Sequence, residues 1–159
     1  MRIRSFFWVG VSIFLLSESS TAASGLNTTE IISCSLPGKL TRKVLFTIDN
    51  ETQALNYTFQ KDGKVELIVH FDAENKLKRL VDSKMGVTYY GFNRGKYSYV
   101  IDIINGAEKE EYTMSFDVKK DDKIVQSDDC LPSSFRNKNI ESKFITEIPY
   151  TDDDGMVFP

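Results

Sequence analysis

The segment that decides the fold is Tyr112-Thr113-Met114-Ser115-Phe116-Asp117-Val118-Lys119. Apolar and polar side chains alternate along it without a break, which is the period-two pattern of a β-strand with one buried face. The same alternation occurs in the segments 44–48, 55–59, 65–71 and 97–103. The chain is therefore predicted to be all-β.

Turn-forming residues separate these segments. They are Asp62-Gly63, Asn93-Arg94-Gly95, Asn105-Gly106 and Lys120-Asp121-Asp122, and such residues supply the positive φ angles that tight hairpins require. About seven or eight strands in sequential hairpins are expected, and the connections are too short for crossover helices. The prediction is a single antiparallel meander that forms a small barrel or a sandwich. The segment Ala73–Asp82 fits a short helix and a strand equally well.

The start of the chain has the form of a secretory signal peptide. Arg2 and Arg4 precede an apolar run at residues 6–16, and small residues follow as far as Ala23. This order predicts export to the periplasm with cleavage near Ala23, and an uncleaved signal anchor would need a longer apolar run. The expected organisation is a signal peptide at 1–23, a β domain at 24–130 and an irregular tail at 131–159 packed on the domain.

The chain has two cysteines, Cys34 and Cys130. In an oxidising compartment an even pair predicts a disulfide, and two buried free thiols are the alternative. Closing so long a loop should stabilise the fold by ~4 kcal/mol. Neither cysteine has a cysteine or histidine close to it in sequence, so the spacing does not fit a zinc site.

Composition narrows the range of functions. The formal net charge is −3, which gives no reason to expect nucleic acid as a partner, and no membrane contact is expected after signal cleavage. The one histidine, His70, lies on the polar side of its predicted strand and is read as solvated, so no catalytic residue is assigned. No cofactor or metal is predicted, and Asp152-Asp153-Asp154 is read as an acidic tail rather than a calcium loop.

An aromatic and basic hairpin at residues 89–99 is the candidate binding site. Successive side chains of a strand point to opposite faces, so some of its rings are expected to reach the surface, where Tyr and Arg contribute most to interface energy. The predicted binding residues are Tyr89, Tyr90, Phe92, Arg94 and Lys96. On this hypothesis Tyr90→Ala and Arg94→Ala weaken partner binding without lowering thermal stability. The alternative is that both faces of the hairpin are buried.

Three segments carry a resemblance to known proteins. Leu55–Phe59, Gly63–Leu67 and Tyr90–Val100 resemble a group of small exported proteins of Gram-negative bacteria, mostly of unassigned function. The early cysteine, the β-meander and the Gly/Tyr-rich hairpin are also similar to those of periplasmic lysozyme inhibitors, in which a Ser-Gly-x-x-Tyr loop enters the lysozyme cleft. The corresponding stretch here is Ser83–Tyr89, and it departs from that motif.

Two classes of function compete on these observations. The first, favoured here, is a non-enzymatic periplasmic binding protein that neutralises a toxic or cell-wall-directed enzyme, in the manner of an immunity protein or a lysozyme inhibitor. Its partner would be a periplasmic toxin or hydrolase, and no oligomeric state is predicted. The second is a carboxylate-based enzyme acting on glycans, which needs a paired acid and base. An envelope structural protein without a defined ligand is a further alternative.

Overall fold

The computed structural model describes residues 27–106, 112–137, 140–151 and 158–159. The predicted signal peptide and the acidic cluster at 152–154 lie outside the described residues. The described residues form eleven β-strands and no helix. The strands are β1 (Thr28–Leu36), β2 (Arg42–Asp49), β3 (Leu55–Lys61), β4 (Lys64–Phe71), β5 (Leu77–Asp82), β6 (Val87–Arg94), β7 (Tyr97–Asn105), β8 (Tyr112–Lys120), β9 (Lys123–Asp129), β10 (Phe135–Arg136) and β11 (Ile145–Ile148).

The strands form two sheets that pack as a sandwich. Sheet A has the order β10-β1-β2-β3-β4 and sheet B the order β11-β5-β6-β7-β8-β9. The all-β prediction is confirmed, and of the two predicted forms the sandwich is the one observed. The meander divides into two, β1 to β4 and β5 to β9, because each sheet has an apolar face that only the other sheet can cover.

The ambiguous segment 73–82 contains a strand rather than a helix. Asp72 Oδ1 accepts hydrogen bonds from the backbone N–H groups of Glu74 and Asn75 at 3.0 and 2.7 Å, which turns the chain from sheet A into sheet B. Leu77 and Leu80 are both buried, although an odd spacing puts them on opposite faces of β5. Their helix-like spacing therefore reflects a strand that is covered on both sides.

Aromatic rings fill the space between the sheets. The ring of Tyr57 lies 5.3 Å from that of Phe46 and 4.8 Å from that of Phe92, in edge-to-face contacts. Edge-to-face pairs of this kind add to the stabilisation from burial. The other large, fully buried side chains are Phe71, Phe116, Ile32, Leu55, Leu77, Leu80, Ile101, Ile103 and Val44.

A disulfide joins the two sheets. Cys34 on β1 bonds to Cys130, which directly follows β9, with a Cα–Cα distance of 5.2 Å, so this prediction is confirmed. The backbone N–H of Leu131 donates to the carbonyl oxygen of Ser35 at 2.7 Å beside it. The cross-link therefore fixes β1 of sheet A against the edge strand of sheet B.

The region after Cys130 adds a strand to each sheet. β10 pairs antiparallel with β1, and β11 pairs with β5 in the one parallel ladder among the described strands. The ladders within β1 to β9 are all antiparallel, as predicted for the meander, and the parallel ladder comes from the region after Cys130. A parallel pair needs a long connection, and here strands β6 to β10 lie between β5 and β11 in the chain. The described residues form eleven strands, more than the seven or eight expected. The additional strands are β1, β5, β10 and β11.

The predicted turns at residues 62–63 and 121–122 are confirmed. Asp62 and Gly63 have φ values of +50° and +73°, and Asp121 and Asp122 have +48° and +63°. Two consecutive residues with positive φ are what a two-residue hairpin turn needs to match the twist of its strands. Among the described residues, none lies in a helix long and apolar enough to cross a lipid bilayer.

Candidate binding surface

The predicted binding hairpin is formed by β6 and β7. Arg94 and Tyr97 are cross-strand partners, so the connection is a two-residue turn, and Gly95 takes φ +61° in it. The hairpin lies inside sheet B, with β5 paired on one side and β8 on the other. It is therefore a rigid element whose end projects from a sheet held on both sides.

Two of the predicted binding residues belong to the core. Tyr90 is 5% exposed and Phe92 is 2% exposed. The ring of Phe92 stacks on that of Tyr99 at 5.0 Å and contacts Phe71 at 5.4 Å. Their assignment to a binding surface is corrected, because a partner could not reach these rings while the two sheets are packed together.

Tyr89 points to the opposite face of sheet B. Its ring is half-buried and lies 6.0 Å from that of Phe158. Burial and the charges of Asp102 and Asp82 raise the pKa of the Tyr89 phenol. Tyr89 is therefore covered by a later part of the chain and does not share a surface with the turn.

Arg94 and Lys96 are exposed at the turn, and the structure brings further cations to them. Tyr97 pairs with Lys120 on β8, and Lys120 pairs with Lys123 on β9. The backbone N–H of Asp121 donates to the carbonyl oxygen of Lys96 at 3.0 Å, which holds the two turns side by side. We call Arg94, Lys96, Tyr97, Lys120 and Lys123 the basic tip.

Tyr97 lies at the centre of the basic tip. Its side chain is 39% exposed, and Lys120 Nζ is 5.7 Å from the centroid of its ring. A cation over an aromatic face is attracted to the negative face of the ring. The ring is thus oriented but still accessible, and its two cross-strand partners, Arg94 and Lys120, are both cations.

Sequence reasoning did not include Tyr97, Lys120 and Lys123 among the binding residues. The order of the strands could have predicted that these residues lie near Arg94. In a meander every second turn lies at the same end of the sheet, so the β6–β7 and β8–β9 turns had to be neighbours. That inference needs the two hairpins to belong to one sheet, which the alternation of side chains does not show by itself.

The stretch that corresponds to the inhibitory loop of lysozyme inhibitors lies elsewhere. Residues 83–86 connect β5 to β6, at the end of β6 opposite the basic tip. Asp82 Oδ1 accepts hydrogen bonds from the backbone N–H groups of Lys84 and Met85 at 2.9 and 3.0 Å. Met85 is 71% exposed at the apex of this turn.

A second polar surface lies on the outer face of sheet B. Asp102, Ser115 and Asp129 are successive cross-strand partners on β7, β8 and β9, and they line a depression of about 710 Å³. Ser115 Oγ donates to Asp102 Oδ1. Burial raises the pKa of the Asp102 carboxyl, and the charges of Asp117 and Asp129 act in the same direction against the lowering effect of the Ser115 hydrogen bond.

Two further features concern chemistry. The sequence predicts that His70 is exposed to solvent, and in the structure its side chain is exposed. Its Nδ1 lies 2.6 Å from Asn56 Oδ1. Within the described ranges, no three His, Cys, Asp or Glu side chains are placed to hold a metal ion together.

Comparisons of this chain with protein-family models, with curated proteins and with solved structures found no match.

Proposed function

We propose that this chain is a periplasmic binding protein that neutralises a toxic or cell-wall-directed enzyme through the basic tip. The observation that carries the proposal is the exposed cross-strand row of Arg94, Tyr97 and Lys120 at the end of a sheet. Arg and Tyr are the residue types that dominate interface energy. The disulfide between Cys34 and Cys130 is compatible with the oxidising compartment that this function requires.

The chemistry of the basic tip favours a partner with an acidic cleft. Enzymes that cleave glycans place two carboxyl groups on either side of the scissile bond. The basic tip has four cations, and the turn between Lys120 and Lys123 adds the exposed carboxylates of Asp121 and Asp122. The net charge of this end of the sheet is positive and complements such a cleft, and complementary charge raises the association rate and the specificity of a complex. Binding there would block substrate access without any chemistry by this chain.

The scaffold suits this role because it is ordered before binding. The β6–β7 hairpin has a paired strand on each side, and the neighbouring turn is hydrogen-bonded to it through Asp121 and Lys96. A preorganised surface loses little conformational entropy when it docks. The cost of binding is therefore mainly that of bringing two rigid bodies together.

The test is an inhibition assay with the mature chain, residues 24–159. Its effect on the clearing of a peptidoglycan suspension is measured for a panel of purified lysozymes and bacterial cell-wall hydrolases. We expect inhibition of at least one enzyme, and at least about a tenfold loss of potency in Arg94→Glu/Lys120→Glu, since opposite charge at the contact becomes like charge. The control is Lys64→Glu, which reverses the charge of an exposed lysine at the start of β4 and should leave potency unchanged.

Two results would contradict the proposal. One is that the wild-type chain inhibits no enzyme of the panel. The other is that the basic-tip variant and Lys64→Glu lose potency equally, because the inhibition would then depend on overall charge and not on the basic tip.

A second candidate function rests on the depression around Asp102. A carboxyl group with a raised pKa next to other carboxylates is the arrangement that separates a general acid from a base or nucleophile. The peptidoglycan-clearing assay tests this second function when the chain is added without a hydrolase. Clearing by the wild type that is lost in Asp102→Asn would favour an enzyme, and absence of clearing would exclude activity on this substrate.

A further inference from the structure

The outer face of sheet B carries a small apolar cluster that is separate from the main core. It consists of Leu80, Val100 and Phe158, with Tyr89 and Ile148 packed against it. Phe158 is 4% exposed, although it belongs to a dipeptide that is part of no strand. Burying a phenylalanine side chain contributes roughly 1.5–3 kcal/mol, so this contact is a substantial one for two residues.

The dipeptide Phe158-Pro159 is also held by its backbone. Lys119 Nζ donates to the carbonyl oxygen of Phe158 at 2.9 Å, and Asn93 Nδ2 donates to the carbonyl oxygen of Pro159 at 3.0 Å. Both donors are side chains of the sheet, on β8 and β6, and both acceptors are main-chain atoms. The sheet thus binds main-chain oxygens of the dipeptide through side-chain donors, as peptide-binding surfaces do.

A glycine shapes the site for the two side chains. A Cβ on Gly91 would lie 2.9 Å from Phe158 Cε1, 2.9 Å from the carbonyl oxygen of Tyr99 and 3.1 Å from Pro159 Cγ, so a larger residue there would crowd both the neighbouring strand and the dipeptide. Gly91 is the position opposite Val100 in the β6–β7 ladder. The absence of a side chain at Gly91 therefore creates a notch in an otherwise covered strand, and an aromatic ring followed by a proline ring fills it.

We propose that this surface is a peptide-binding site for a segment with an aromatic residue followed by proline, and that Phe158-Pro159 is its built-in ligand. The apolar floor is Leu80 and Val100, the notch is at Gly91, and Lys119 and Asn93 bind the backbone. A covalently attached ligand has an effective concentration on the order of millimolar. A segment of the same chemistry from another protein must therefore compete with the attached one.

This site does not depend on the proposed function. It borders the basic tip, since Asn93 and Lys119 directly precede Arg94 and Lys120, but its ligand is an apolar peptide segment and not an acidic cleft. Peptide binding and inhibition of a hydrolase are measured separately, so each proposal can fail while the other stands.

The experiment uses a fluorescent peptide of residues 150–159 added to the full mature chain. In the variant Phe158→Ala/Pro159→Ala the site is vacated, and we expect the peptide to bind at least about tenfold more tightly than it binds to the wild type, where the attached dipeptide competes. A peptide with alanine in place of both Phe and Pro is the matched control and should not bind.

Changes in the site itself test its composition. In the background of the vacated variant, Lys119→Met should weaken peptide binding at least about fivefold, because a charge-assisted hydrogen bond to a carbonyl is lost. Lys123→Met, which removes a lysine of the basic tip, should leave peptide binding unchanged. Equal effects of the two substitutions would overturn the assignment of Lys119.

A second measurement covers the case in which the vacated variant does not fold. A fluorinated phenylalanine is placed at position 158 of the otherwise intact chain, and its fluorine resonance is followed as excess peptide is added. Displacement should move the resonance to the position of a solvated ring, and the alanine peptide should not. A resonance that does not respond to millimolar peptide, or equal binding of both peptides to the vacated variant, would overturn the proposal.

Discussion

Tyr57 lies at the centre of the aromatic core with 0% of its side chain exposed. Among the described residues its hydroxyl oxygen has no hydrogen-bond partner. Burial raises the pKa of this phenol strongly, and the neighbouring Tyr99 adds to the effect. The hydroxyl is therefore neutral at every physiological pH, and it is desolvated without a compensating bond.

We expect Tyr57→Phe to leave the free energy of unfolding unchanged or to raise it by up to ~1 kcal/mol, because the ring contacts remain and an unsatisfied polar group is removed. Urea denaturation of residues 24–159 measures this. Tyr57→Ala is the control and should lose ~3–5 kcal/mol through the cavity it creates. A loss above ~1 kcal/mol in the phenylalanine variant would show that the hydroxyl is bonded.

Asp102 provides a prediction for pH dependence. Its folded-state pKa is raised above the ordinary 3.8, chiefly by burial, so the folded chain holds this proton more tightly than the unfolded chain does. Stability is then lost as the pH rises from 3.8 through the folded pKa, and it stays lower above that pH. Asp102→Asn removes this loss and keeps an oxygen that can accept the Ser115 hydrogen bond.

The expected outcome is that Asp102→Asn and the wild type unfold at similar urea concentrations in acid, while the variant is the more stable at neutral pH. Ser115→Ala should have the opposite effect, because the hydrogen bond that favours the charged carboxylate is lost. A stability difference that does not change with pH would contradict the raised pKa.

At the scale of the element, the β6–β7 hairpin divides into a buried body and an exposed turn. Tyr90→Ala should cost ~3–5 kcal/mol of unfolding free energy, as is typical of large buried rings, while Arg94→Ala should change it by less than ~0.5 kcal/mol. Thermal melts of the two variants measure the contrast. Similar melting temperatures for both would mean that Tyr90 does not contribute to the core.

The sequence analysis predicted that Tyr90→Ala and Arg94→Ala would both weaken partner binding without lowering stability, and the structure changes this prediction for Tyr90. Tyr90→Ala cannot report on partner binding, because its effect on stability would dominate any assay. Arg94→Ala and Lys120→Ala can, since both side chains are exposed and the backbone beneath them is paired. Within the β6–β7 hairpin, Tyr90→Ala therefore tests stability and Arg94→Ala tests partner binding.

At the scale of the whole molecule, the Cys34–Cys130 disulfide closes a sequence separation of 96 residues. Replacing both cysteines by alanine should lower the free energy of unfolding by ~4 kcal/mol, because the unfolded chain regains the entropy that the cross-link removes. Urea denaturation with and without a reductant measures this. Reductant should destabilise the wild type by a similar amount and should not affect the double variant; a loss below ~1 kcal/mol would contradict the prediction.

The cross-link matters for the whole molecule because it joins the sheets near one edge. Arg42 on β2 forms an ion pair with Asp128 on β9 at 3.3 Å, close to the same edge. Both side chains are mostly buried, and the desolvation of such a pair offsets much of its charge attraction. The covalent bond is therefore the dominant restraint on the sheets at this edge, while the aromatic core restrains them elsewhere.

Much of the fold could be predicted from short segments. The alternation at residues 112–118 gives the buried face of β8, on which Met114, Phe116 and Val118 lie, and the turn chemistry gives the hairpin at Asp62-Gly63. The pairing of Cys34 with Cys130 follows from their number. These features depend on neighbours in sequence, because strand periodicity and turn angles are local properties of the chain.

The candidate site was predicted only in part, and the physical reason is distance along the chain. Alternation shows that Tyr89 and Tyr90 lie on opposite faces, but it cannot show which face meets the other sheet. Only the packing of the two sheets decided that Tyr90 is core and that Lys120 and Lys123 join Arg94 at one end. In the same way, only tertiary structure placed Phe158 over Gly91, since no local pattern links residues 67 positions apart. The sequence by itself determined the strands of the central meander, the turns at Asp62-Gly63 and Asp121-Asp122, and the cross-link; the surface available to a partner was decided by which apolar faces the sheets buried against each other.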